Sequence, residues 1–215
     1  MAPAPRAAAV ALAGVLLASA VPARTEGLFS QSGLAGWEPL QFRGKAPTRY
    51  SLVTTDGARV LQADCRASAS GLIRRERIDL RRTPLLRWRW RTQAVFAGLD
   101  ERQKAGDDFP LRVYAVRDGG WARWRTRSIV YVWSNGGQQT PRWPSPYTAN
   151  AQVVALRGPD DAGHWVEEVR DVRADFADAF DVDAADVDGV ALMSDCDDSG
   201  RSARAWYGDI RWAAR

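Results

Sequence analysis

The feature that most constrains this chain is the run Leu86-Arg87-Trp88-Arg89-Trp90-Arg91, in which apolar side chains alternate with guanidiniums. Successive Cβ atoms lie on opposite faces of a strand, so such a run has one face in a core and the other in water. Short stretches of the same kind recur along the chain, separated by clusters of Gly, Pro, Asp and Asn, which is the pattern of antiparallel strands. It predicts strands over residues 50–54, 58–65, 70–78, 85–92, 109–116, 128–134, 151–157, 164–169, 188–194 and 203–212. About ten strands in one unit require two packed sheets. The expected fold is therefore all-β, a two-sheet antiparallel β-sandwich with one or two short helices.

Alternation also assigns faces. Ile129, Tyr131 and Trp133 share one side of their strand and Val130 and Val132 the other, so both sides are covered. Val190 and Leu192 stand opposite Ala191 and Met193, the mark of a central strand. Helical turns are expected at 94–104 and at 172–180, where Val172, Phe176 and Phe180 recur every fourth residue. The proline-bounded stretch 141–146, with Trp143 and Tyr147, reads as an ordered loop.

Arg6 followed by the small and apolar run Ala7 to Ala20 has the layout of a secretory signal peptide, with cleavage expected after Ala20 or Ala23. Residues 1–23 are thus read as a leader and 24–215 as one domain, placed in the periplasm or outside the cell. The run is shorter than the ~20 residues a membrane span requires, and nothing later is apolar enough to be one. The net charge of +4 is almost wholly Arg, spread along the chain and interleaved with acids, which argues against a nucleic-acid partner. Cys65 and Cys196 would gain about 4–5 kcal/mol by pairing, provided the fold brings them together. The sequence leaves that pairing open. A single His and two Cys exclude the usual zinc ligand sets.

Five ordered motifs carry a resemblance: Gly106-Asp107-Asp108-Phe109-Pro110-Leu111-Arg112-Val113-Tyr114; Tyr131-Val132-Trp133; Trp165-Val166-Glu167-Glu168 with Arg170-Asp171-Val172; Ser194 to Gly200; and Tyr207-Gly208-Asp209-Ile210. From about Phe29 to Trp212 the chain resembles domain-of-unknown-function family 3047, which implies an exported bacterial protein and supplies no catalytic residue to carry over. Phe29, Gly36-Trp37 and Gly208-Asp209-Ile210 are also similar to the ends of jelly-roll carbohydrate-binding modules and of galactose-binding-like or concanavalin-like sandwiches.

Ten tryptophans exceed what one small core needs. Trp88, Trp90, Trp133, Trp206 and Trp212 are expected between the sheets, whereas Trp121, Trp124 and Trp143, with Tyr147, lie where a sugar ring could stack. Asp107 and Asp108 open a strand that carries Arg112 and Tyr114. With Tyr131, Trp133 and Trp143 these are the candidate residues for binding a carbohydrate or similar polar small ligand. Asp195, Asp197 and Ser199, followed by Gly200, set oxygens at alternate positions; with Asp209 they are candidate ligands for a structural calcium ion. No cofactor is required by any motif. The alternatives are a glycoside hydrolase using Glu167, Glu168, Asp107 or Asp108, a polysaccharide lyase using Arg112, Tyr114, Tyr131 and His164, and an envelope-interaction protein whose tryptophans are all core.

Overall fold

The computed structural model describes residues 28–120, 125–136 and 142–215. The expected leader and the loop tryptophans Trp121 and Trp124 lie outside the described residues. In chain order the strands are β1 (Glu38–Gln41), β2 (Arg49–Thr55), β3 (Ala58–Arg66), β4 (Ala69–Asp79), β5 (Leu85–Thr92), β6 (Arg112–Arg117), β7 (Arg127–Trp133), β8 (Arg142–Ser145), β9 (Thr148–Arg157), β10 (Val166–Asp171), β11 (Asp186–Asp195), β12 (Ser202–Tyr207) and β13 (Arg211–Ala213). Helix α1 (Val172–Phe180) follows β10.

These strands form the expected sandwich. One sheet has the order β1-β4-β11-β6-β7-β9-β8 and the other β10-β5-β12-β3-β2, with β13 also paired to β5. Pairing is antiparallel except between β7 and β9, which run parallel because the chain leaves β7, makes the edge strand β8 and turns back along it. The stretch expected as a loop is therefore partly strand: Trp143 pairs with Val153 and packs with Val130 and Phe109 on the outer face of the larger sheet. The single strand expected over 203–212 breaks at Gly208. Its backbone N–H donates to Arg89 O at 2.8 Å, and a Cβ there would stand 2.4 Å from Arg89 Cγ, so only glycine lets the chain cross β5 this closely.

The core lies between the sheets and is dominated by aromatic rings. Trp88 meets Trp90 and Tyr131 with centroids 5.3 Å apart, and Trp90 meets Trp133 at 5.8 Å. Burying an indole or phenol costs less when its polar tip has a partner; Trp88 Nε1 has none among the described residues, but its neighbours do. Trp90 Nε1 donates to Glu168, Trp133 Nε1 to Gly158 O, and the Tyr131 hydroxyl to Asp175 on α1. Arg87, Arg89 and Arg91 point outward, as the alternation requires. Helix α1 occupies the span that the fourfold spacing predicts; Val172 and Phe176 are buried, and Asp171 caps it by accepting from Ala174 N at 3.0 Å. The other expected helical stretch reduces to a single 3₁₀ turn at Lys104–Gly106, because Phe96 and Leu99 are drawn onto a disulfide instead. That bond joins Cys65 in β3 to Cys196 just after β11, with Cα atoms 6.2 Å apart, and so links the two sheets.

Candidate functional site

Alternation along β6 sends Val113 and Ala115 into the core and Arg112 and Tyr114 onto the outer face of the larger sheet. Arg112 is nevertheless buried, at 5% exposure, so its charge needs partners. Its Nε donates to Asp195 Oδ1 at 2.8 Å, its Nη1 to Asp107 Oδ2 at 3.2 Å, and its Nη2 to both Asp195 Oδ2 and the Asp107 carbonyl. The smaller sheet fixes this arrangement from beneath. The Tyr207 hydroxyl accepts from Arg112 N at 3.2 Å and donates to Met193 O at 2.6 Å, while the Tyr50 hydroxyl accepts from Ser194 N at 3.0 Å. Gly106 delivers the chain to Asp107 by passing so close to Asp100 that a Cβ would stand 2.3 Å from its carbonyl oxygen.

Above Arg112 lies a cavity of 300 Å³, whose lining includes Phe42, Asp107, Tyr114, Tyr147 and Met193. Phe42 follows β1 and Tyr147 sits in the β8–β9 turn, so segments from both edges of the seven-stranded sheet reach a hollow over its middle strands. Lys45, also in the lining, bridges Asp197 and Asp198, and the Tyr147 hydroxyl donates to Asp198 Oδ2 at 2.9 Å. Lys104 Nζ stands 5.2 Å from the centre of the Tyr147 ring.

The structure thus gathers Asp107, Arg112 and Tyr114 at one hollow. Asp108 stands behind it with its carboxylate accepting from Ser199 N at 2.6 Å, which makes it a loop cap rather than a cavity wall. Trp143 is buried beneath β9 on the same face. As ligand-binding candidates Tyr131 and Trp133 require correction: they share the inward side of β7 with Ile129 and lie fully in the core, where Trp133 is also expected. The aromatic groups that do reach the cavity, besides Tyr114, are Phe42, which no sequence pattern marks, and Tyr147, which its position among prolines does mark.

The expected calcium ligands separate. Asp209 is elsewhere, accepting from Ser30 N at 2.9 Å and from Arg211, and Ser199 contributes its backbone N–H. Asp108, Asp195 and Asp197 do bring carboxylate oxygens within 4.8 Å of one another, close enough to hold a metal ion. Calcium needs several uncommitted hard oxygens. Here Arg112 holds Asp195 and Lys45 holds Asp197, so the chain's own cations stand where the ion's charge would act, and the set does not fit a calcium cage.

The catalytic sets also come apart. Glu168 lies in the smaller sheet, taking Trp90 Nε1 at 3.0 Å and Arg157 Nε at 2.7 Å, and Glu167 faces Arg89 across the β10–β5 pair. His164 is in the turn before β10. A lyase base must shed its proton near neutrality, whereas burial pushes the Tyr114 hydroxyl up to about 12. Two of the three stripe arginines are stacked on aromatic rings: Arg89 and Arg91 each lie 4.9 Å from the Trp165 ring, and Arg91 lies 4.4 Å from Trp206, while Arg87 is exposed. Trp206, expected in the core, is on the outer surface beneath Arg91 because it shares a face with Arg204 on β12, and its Nε1 donates to Gln62.

Burial pushes the carboxyls of Glu101 and Asp107 up, and that of Asp195 up to about 7 against the pull of Arg112. A carboxyl whose folded pKa is raised binds its proton more tightly in the folded state, so it withdraws stability as pH rises from the ordinary carboxylate range to the folded value. Asp56, bonded by Trp165, and Asp183, bonded by Arg173, are shifted down and lose their contribution at lower pH. Thermal unfolding followed across pH is therefore expected to show a higher midpoint at about pH 5–6 than at pH 8. A midpoint that rises steadily to pH 8 contradicts these assignments.

The model of the family described as "Protein of unknown function (DUF3047)" matches residues 35–211, most of the chain. The chain belongs to this family. The DUF3047 match contains the cavity residues Phe42, Asp107, Arg112, Tyr114, Tyr147 and Met193. No curated protein matches the chain by sequence. Among solved structures, the chain is similar to a thermostable cellulase derived from Cel12A of Rhodothermus marinus, with TM-score 0.49 and 9% identity over 89% of this chain and 95% of that one. A carbohydrate-binding module specific for non-crystalline cellulose, CBM28, gives TM-score 0.45 and 12% identity over 88% and 94%. The enzymatically active domain of tailspike protein 4 from bacteriophage CBA120 gives 0.45 and 8% over 88% of this chain, which spans only 21% of the tailspike chain.

Proposed function

We propose that this is an exported, non-catalytic binding protein for a carbohydrate or similar polar ligand, held in the cavity above Arg112. The observation that carries this reading is the position of exposed aromatic surface. Among the described residues the exposed large apolar side chains are Leu34, Phe42, Tyr147 and Val169, and both aromatic ones line this cavity. Aromatic faces beside fixed polar groups suit a ring with apolar C–H faces and hydroxyl edges. A volume of 300 Å³ is at the lower end for small-ligand sites, enough for about one or two sugar units.

Titration calorimetry of residues 24–215 against an oligosaccharide panel tests the proposal, with reducing and unsaturated ends assayed in parallel. Binding without cleavage is expected. Tyr147→Ala should weaken it about tenfold, roughly 1.4 kcal/mol, while moving stability by less than about 0.5 kcal/mol, since Tyr147 is exposed in a two-residue turn. Cleavage would replace the binding reading with the enzyme reading, and silence throughout the panel would favour an envelope-interaction protein. Export is tested by sequencing the N-terminus of the mature protein, expected to begin at Val21 or Arg24; retention of Met1 would contradict it.

A further inference from the structure

Away from that cavity, one end of the seven-stranded sheet carries guanidiniums that the chain leaves without counter-ions. A hollow of 590 Å³ there has Arg77, Arg117, Arg125 and Arg127 in its lining. Its carboxylates are those of Asp118, Asp186 and Asp188. Arg77 is paired with Asp186 at 2.6 Å. Among the described residues, no carboxylate lies within ion-pair distance of Arg117, Arg125 or Arg127. Arg125 is exposed and the other two are half-buried, so a ligand reaches all three. Arg112 opens β6 and Arg117 closes it; at about 3.3 Å per residue the two hollows lie roughly 16 Å apart.

Two of these arginines are also set against each other. Arg117 and Arg127 are direct partners in the β6–β7 ladder, a position where like charges destabilise a sheet. Arg127 is held by the ring of Phe180, whose centre lies 5.2 Å from its guanidinium carbon. Such stacking uses the face of the guanidinium and leaves its N–H edge for an acceptor. An oxyanion between the two forks replaces one repulsion with two charge-assisted attractions.

The lining also limits what the anion is. Four guanidiniums stand with three carboxylates, an excess of one. A singly charged group balances it, whereas a nucleic acid or an anionic membrane presents a run of charges that one excess cation does not match. Asp118 uses Oδ1 for Gly120 N and Thr126 Oγ1, and Asp188 uses Oδ2 for Asp118 N. Each keeps a second oxygen that can accept from a hydroxyl. A bare anion offers no such donor; a sugar acid carries its oxyanion and its hydroxyls on one ring.

We infer that this hollow is a second ligand site, taking an acidic sugar whose single carboxylate or sulfate ester sits between Arg117 and Arg127 with its hydroxyls against Asp118 and Asp188. It stands apart from the reading of the Arg112 cavity, because the two hollows share no lining residue.

The test is an NMR titration of isotope-labelled residues 24–215 that follows the arginine Nε–H resonances, with galacturonic acid, galactose sulfate and galactose as probes. At least one acid is expected to move Arg117 and Arg127 together and to bind at least about tenfold more tightly than galactose, by a margin that shrinks as salt is raised. The tighter acid shows whether the carboxylate or the sulfate ester is the preferred group. Arg117→Gln should weaken that acid at least about tenfold without lowering the midpoint of thermal unfolding, since it removes one of two opposed like charges. Should that variant fail to fold, Arg125→Gln, at an exposed position, is expected to weaken the acid about threefold or more. Tyr147→Ala should leave this titration within about twofold, so the two sites fail separately. Galactose bound as tightly as both acids, resonances of Arg117 and Arg127 unmoved by either, or an unchanged affinity in Arg117→Gln overturns the inference. Inorganic sulfate bound as tightly as galactose sulfate overturns the assignment to a sugar and leaves an adventitious ion only.

Discussion

Arg112→Ala is expected to destabilise the protein by about 3–5 kcal/mol, because it leaves buried carboxylates without their cation. The guanidinium is the common partner of Asp107 and Asp195, and none of the three is more than 5% exposed. The loss would exceed the value of the hydrogen bonds alone, since a stranded charge carries its whole desolvation penalty. Asp195→Asn in the same background should return part of the loss by removing one stranded charge, a coupling that a double-mutant cycle in urea measures directly. Simple additivity of the two substitutions would show that the pair does not act as a unit. The same variant should abolish ligand binding, because Arg112 forms the floor of the cavity.

Removing the disulfide should have an effect of similar size by another route. Cys65 and Cys196 are 131 positions apart, so the bond restricts the unfolded chain over more than half its length. On the loop-entropy argument the double variant Cys65→Ser, Cys196→Ser loses about 4–5 kcal/mol, lowering the midpoint of thermal unfolding by roughly 10–20 °C. The bond also fastens β3 of one sheet to the end of β11 in the other, next to the loop that holds Asp197 and Asp198. Reduction of the native protein should reproduce the shift. A change below about 1 kcal/mol would mean that sheet packing alone already fixes this end of the sandwich.

Much of the fold is legible because its central strands alternate strictly. β5 shows one buried and one wet face, and the covered strand β7 shows apolar residues on both. The edge strands of the seven-stranded sheet are not legible in this way, whereas β2 and β10, which edge the other sheet, are. β1 and β8 are short and carry Pro39 and Pro144, which a central strand would not tolerate and an edge strand does. Their pairing depends on neighbours distant in sequence, so nothing local announces them.

The site divides along the same line. Asp107, Arg112 and Tyr114 lie in one short segment whose charge and alternation stand out. Phe42 and Lys45 reach the cavity only through the placement of β1 and β4 beside β11, which no residue spacing encodes. Tyr131 and Trp133 illustrate the converse limit. Alternation groups them with Ile129 but cannot say which side of β7 fronts the other sheet, and that side is theirs. For Asp209, a shared acidic character suggests a common site with Asp195, but the turn at Gly208 carries it to Ser30 instead.

The most direct measurement is to map, by NMR with isotope-labelled protein, which side chains shift when the tightest-binding oligosaccharide of the panel is titrated in. If a hollow on the outer surface of the seven-stranded sheet holds the ligand, the resonances of Phe42, Arg112, Tyr114 and Tyr147 move together and saturate at one common dissociation constant. Shifts confined instead to Trp165, Trp206 and the arginines of β5 would place binding on the opposite sheet and contradict it.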